Sequence, residues 1–104
     1  SLLFKSIVEG TIDSTLKLIE ENRWSYADEF DFDEYDVNTV GYRLLNVGRL
    51  SEAKQVLKFN VYLYPNAWNV YDSYGEVLFL MNELTESKKM YEKSLELNSE
   101  NTSL

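Results

Sequence analysis

A chain of 104 residues with 44% apolar and 14% aromatic side chains has room for one packed domain, burying roughly 65% of the unfolded surface. Its net charge of −8 excludes the concentrated basic surface that nucleic acid requires, and it disfavours an anionic membrane for the same reason. Cysteine and histidine are both absent, so disulfides, zinc–thiolate sites and the ordinary Ser-His and Cys-His nucleophile systems are excluded as well.

The first 25 residues read as a degenerate helix pair. Leu3, Phe4 and Ile7 share one face of a first helix, Gly10 followed by Ile12 marks a turn, and Thr15, Leu16 and Ile19 continue as a second helix. Ser1-Leu2-Leu3 looks like the middle of an element, which suggests a module taken from a longer protein. No apolar run reaches the ~20 residues needed to span a bilayer, and no signal-peptide pattern is present.

Residues 26–36 then concentrate the charge. Asp28, Glu29, Asp31, Asp33, Glu34 and Asp36 occur there without a single Lys or Arg, supplying six of the eight excess negative charges. Such a loop could hold calcium through carboxylate oxygens, but the glycine and terminal bidentate Glu of an EF-hand loop are missing. The alternating Phe30, Phe32 and Tyr35 favour a structural reading, in which rings clamp the loop to the helices while the carboxylates face water. No metal site is assigned.

From residue 34 onward the sequence repeats at an interval of 34. Gly41 returns as Gly75, Leu44 as Leu78, Leu50 as Leu84, Glu52 as Glu86, Lys54 as Lys88 and Leu63 as Leu97. Units of this length cannot bury their apolar faces alone and must stack. Apolar residues recur at three and four, predicting helices: Val37, Val40, Leu44 and Val47 in one, Ala53, Val56, Leu57 and Val61 in the next. Gly48-Arg49-Leu50 is the turn between them, Ser51 is placed to cap the second helix, Pro65 ends it and Asn66 can cap the one after. The second cycle runs Tyr71, Tyr74, Leu78 and Met81, a turn at Asn82-Glu83-Leu84, Thr85 as cap, then Met90, Tyr91, Leu95 and Leu97. From Gly10 to Gly48 the interval is 38, so four residues are inserted before the first regular unit, within the acidic stretch.

This pattern resembles the tetratricopeptide repeat, a helix-turn-helix unit of the same length. The small residue of its first helix matches Gly41 and Gly75; the large residues around it match Val40, Tyr74, Leu44 and Leu78. The small residue opening its second helix matches Ala53 and Ser87, and the large position four later Leu57 and Tyr91. Asn60 and Ser94 stand where alanine is usual, and the closing proline matches Pro65 but is Ser99 in the last unit. The resemblance implies an all-α superhelix of about three antiparallel helix pairs, the first degenerate, with units at 34–67 and 68–101 and both apolar ends uncovered. It also implies a binding face along the first helices. That face would carry Tyr35, Asn38, Tyr42, Leu45 and Asn46 from one unit and Asn69, Asp72, Glu76, Phe79 and Leu80 from the next. Tyr42 and Phe79 could equally be shielding the core. Asp72 and Glu76 would repel the acidic chaperone tails that some members of the family hold, so a basic or neutral partner is expected.

A narrower resemblance covers nearly the whole chain. Asp36–Asn46, Phe59–Asn66 and Asn69–Glu76, with Phe59-Asn60 and Tyr71-Asp72-Ser73 as the most telling pieces, look like the repeat tail of certain bacterial serine hydrolases, of the α/β-hydrolase esterase or β-lactamase-like type. It implies an accessory domain without catalytic residues or cofactors, a partner that is a protein, a peptide or the parent's catalytic domain, and a possible homodimer through uncovered apolar ends. A stand-alone peptide-binding adaptor is the alternative. Glycine-rich phosphate loops, GxSxG and HExxH are all missing from the sequence.

Overall fold

The computed structural model describes residues 34–98. The expected helix pair over 1–25, most of the acidic-aromatic stretch and the end of the second unit with Ser99 lie outside the described residues. Within them are four helices and no strand: α1 (Glu34–Asn46), α2 (Leu50–Leu63), α3 (Trp68–Leu80) and α4 (Leu84–Leu97). None is long and apolar enough to cross a membrane. The first helix begins at Glu34, so the last three residues of the predicted acidic loop are helical.

The repeat seen in the sequence reappears in the backbone. At the end of α1, the Arg49 N–H bonds to the Leu44 carbonyl at 2.9 Å and the Gly48 N–H to the Leu45 carbonyl at 3.0 Å. At the end of α3, Glu83 bonds to Leu78 at 2.9 Å and Asn82 to Phe79 at 3.0 Å, every atom displaced by 34 residues. This is the Schellman arrangement, which satisfies the last carbonyls of a helix by turning one residue left-handed. Gly48 (φ 83°) and Asn82 (φ 63°) are those residues, and glycine and asparagine are the types that tolerate such a backbone. The next helix starts at once: the Ala53 and Ser87 N–H groups bond to the Arg49 and Glu83 carbonyls at 2.9 and 3.0 Å.

The helix starts correct three expectations. Arg49, Ala67 and Glu83 are the N-cap residues and none makes a side-chain capping bond, so Ser51, Asn66 and Thr85 do not cap. The residue that closes one helix is already adjacent to the N-cap of the next, leaving Ser51 and Thr85 inside their helices. In place of a cap, the Arg49 guanidinium lies along Glu52 in the first turn of α2, with Nε donating to Oε1 at 2.6 Å and Nη2 to Oε2. Val47 is also not in the core. It follows the last residue of α1, leaves the apolar stripe and is 66% exposed.

Helix α2 stops where Pro65 requires. Tyr64, which precedes the proline, is driven out of helical geometry (φ −129°, ψ 65°) while its N–H still bonds to the Asn60 carbonyl. The Tyr71 hydroxyl donates to the Pro65 carbonyl at 2.6 Å, fastening α3 to that corner.

Each helix packs on the next in sequence, and α1 also touches α3. The core runs through Val37, Val40, Leu44, Ala53, Val56, Leu57 and Leu63 of the first hairpin and takes in Val77 of α3. Burying each large aliphatic side chain contributes roughly 1.5–3 kcal/mol, so Val77, with Tyr74 and Met81 packed beside it, helps to hold the two hairpins together. Gly41 lets α1 approach α2: a Cβ built there would sit 2.3 Å from Leu57 Cδ2. Gly75 meets Tyr91 in the equivalent way but less tightly, at 3.3 Å. The expected inward stripe of α4 is less buried than that of α2. Met90, Tyr91 and Leu95 are half-buried and Leu97 is exposed, while the fully covered positions are Ser87 and Ser94. Their hydroxyls donate to the Gly75 carbonyl at 2.7 Å and the Trp68 carbonyl at 3.0 Å, which makes small polar residues acceptable there.

Candidate functional site

The ten residues assigned to a binding face divide evenly between α1 and α3. Tyr35, Asn38, Tyr42, Leu45 and Asn46 are on α1; Asn69, Asp72, Glu76, Phe79 and Leu80 are on α3. The two helices touch, and one contact joins equivalent positions of the two units. The Tyr42 hydroxyl donates to Glu76 Oε2 at 2.5 Å, across a sequence separation of 34. A hydroxyl donating to a carboxylate is charge-assisted, which accounts for its shortness.

Two other side chains of these helices are less well satisfied. Asn38 Oδ1 and Asn69 Nδ2 are shielded from water and have no hydrogen-bond partner. A buried orphan of this kind costs about 1–3 kcal/mol of stability, one on each helix. The remaining residues do not form one uniform surface. Leu45 packs against the core and acts as its cover. Asn46 is exposed at the end of α1. Phe79 is 59% exposed and Leu80 is exposed too, so neither shields the interior. Tyr35 lies within α1 and is 64% exposed, and most of the acidic stretch it was expected to clamp lies outside the described residues.

The tyrosines record how the site is built. Burial, followed by the bond to Glu76, pushes the Tyr42 hydroxyl well above its ordinary value, while Ser73 pulls it the other way. Burial also raises Tyr74 and Tyr91, and the charges of Glu76 and Asp72 add to the rise at Tyr91. Sequence reasoning placed Ser73 only within a telling motif and Tyr91 only in the core, because which of them feels Asp72 and Glu76 depends on packing that spacing does not encode. Among the described residues, no group of three or more carboxylates converges as a metal site.

These shifts fix a pH dependence. A tyrosine whose folded pKa is raised keeps its proton where the unfolded chain, near pH 10, has begun to lose it. The stability it provides is complete below about pH 10 and is lost as pH rises toward the folded value. Urea unfolding should therefore show a fall in stability as pH rises from about 10 to about 12, less steep in Tyr42→Phe. Equal slopes in the two proteins would contradict the assignment of Tyr42 as a buried, bonded phenol.

No protein-family model matches the chain, and no curated protein matches it either. The functional reading rests on the residues and their arrangement.

Proposed function

We propose that this chain is a non-catalytic protein–protein interaction module of the tetratricopeptide type, taking a protein or peptide segment along the face made by α1 and α3. The Tyr42–Glu76 hydrogen bond carries this reading, because it makes equivalent positions of successive units into one surface. Phe79 and Leu80 offer exposed apolar surface at the end of α3. Asp72 and Glu76, with no lysine or arginine among the ten residues, select a basic or neutral segment over an acidic one.

The likeness to the tails of bacterial serine hydrolases extends the proposal to an accessory domain of such an enzyme, with the catalytic domain elsewhere. The residues that carry this likeness are packing residues here. Asn60, Tyr71 and Ser73 are all buried, and Tyr71 holds the corner between the hairpins. They support a shared way of joining units, while the exposed face is what would choose the partner.

The test is selection from a displayed library of random peptides. Enrichment of sequences with lysine or arginine, lost when Asp72→Lys and Tyr42→Ala are combined, is the expected result. Failure to enrich any sequence, or equal capture by the double variant, would count against a peptide-binding face.

A further inference from the structure

The 34-residue interval sets one covered helix beside one uncovered helix. Over α2 lies α3: Lys54 Nζ pairs with Glu83 Oε1 at 2.8 Å just beyond the end of α3, and Leu50 is half-buried. Thirty-four residues on, Leu84 is 53% exposed and the Lys88 side chain is 78% exposed, with Glu92 of its own helix at 3.9 Å. Leu84, Lys88, Tyr91 and Leu95 fall within about 60° of the circumference of α4 at 3.6 residues per turn. Beside them is a shallow groove of about 550 Å³ lined by Leu84, Thr85, Lys88, Lys89 and Glu92.

Charge indicates what fits there. The chain carries −8 overall, yet α4 is balanced, with Glu86, Glu92 and Glu96 against Lys88, Lys89 and Lys93. A partner of one sign cannot match both halves of that helix. Reversed on itself, the helix does match. An antiparallel crossing centred between Lys88 and Tyr91 sets Leu84 against Leu95 of the other copy and Lys88 beside the other copy's Glu92, and two-fold symmetry makes each contact twice. We propose that α4 is a self-association surface, on which a second copy of this chain packs its own α4 antiparallel to the first. This surface is distinct from the α1–α3 face and does not depend on what that face binds.

Sedimentation equilibrium of the full chain from about 1 μM to about 1 mM provides the test. The wild type should show a monomer–dimer equilibrium in that range. Lys88→Glu and Glu92→Lys should each weaken it at least about tenfold by placing like charges together, and their equimolar mixture should recover it as a heterodimer. Leu84→Glu should leave monomer only. All three positions are exposed, so far-UV circular dichroism of each variant should match the wild type. A wild type that stays monomeric throughout, or a mixture no tighter than the separate variants, would overturn the proposal.

Discussion

Gly41→Ala should destabilise the protein by about 2 kcal/mol, although alanine is the better helix former by about 1 kcal/mol. The added methyl would lie 2.3 Å from Leu57 Cδ2 and 2.6 Å from its Cγ. A clash at Cγ cannot be relieved by turning the end of the side chain. Leu57 is fully buried, so it has nowhere to go without moving its neighbours. Overpacking of this kind costs about 1–3 kcal/mol, and the contact is tight enough to place it at or beyond the upper end. Gly75→Ala at the equivalent position should change stability by less than about 0.5 kcal/mol. Its methyl would meet the Tyr91 ring at 3.3 Å, and that half-buried ring can give by a few tenths of an ångström. Urea unfolding of the two variants decides the matter, and similar losses in both would contradict the difference between the hairpins.

The largest loss is expected for Leu57→Ala, about 3 kcal/mol within the range of about 2–5 found for buried leucines. A domain with roughly 5–15 kcal/mol in total cannot spare much more. The same substitution should remove the clash at position 41. Gly41→Ala in the Leu57→Ala background should therefore be neutral or slightly stabilising, with a coupling beyond about 1 kcal/mol between the two sites. Simple additivity would show that the two residues do not meet as described.

These paired effects show how much of the structure the sequence carried. The interval from Gly41 to Gly75 correctly announced two equivalent hairpins, and the stripes of Val37, Val40, Leu44, Ala53, Val56 and Leu57 lie in the core as their spacing required. The capping assignments failed at Ser51, Asn66 and Thr85 because hydroxyl and amide residues near a helix start suggest caps wherever they occur. Whether they cap depends on the turn: at Ser51 and Thr85 the left-handed residues Gly48 and Asn82 close it earlier, and after Pro65 the N-cap is Ala67, one residue past Asn66. Val47 was misplaced for a related reason, since periodicity does not show where a helix stops. At the candidate face, helical spacing put all ten residues on two first helices. It did not show that Leu45 leans into the core, that Tyr35 stands in solvent, or that Tyr42 reaches Glu76. Those depend on how two helices approach each other, which a single sequence leaves open.

A partner segment lying on the α1–α3 face would perturb the residues it covers. Backbone amide chemical shifts, followed while a library-selected basic peptide is titrated into the full chain, report that contact residue by residue. Saturable shifts are expected at Asn38, Tyr42, Asn69, Asp72, Glu76 and Phe79, with α2 and the outer side of α4 unmoved. Shifts confined to α2 or α4, or none at saturating peptide, would contradict it.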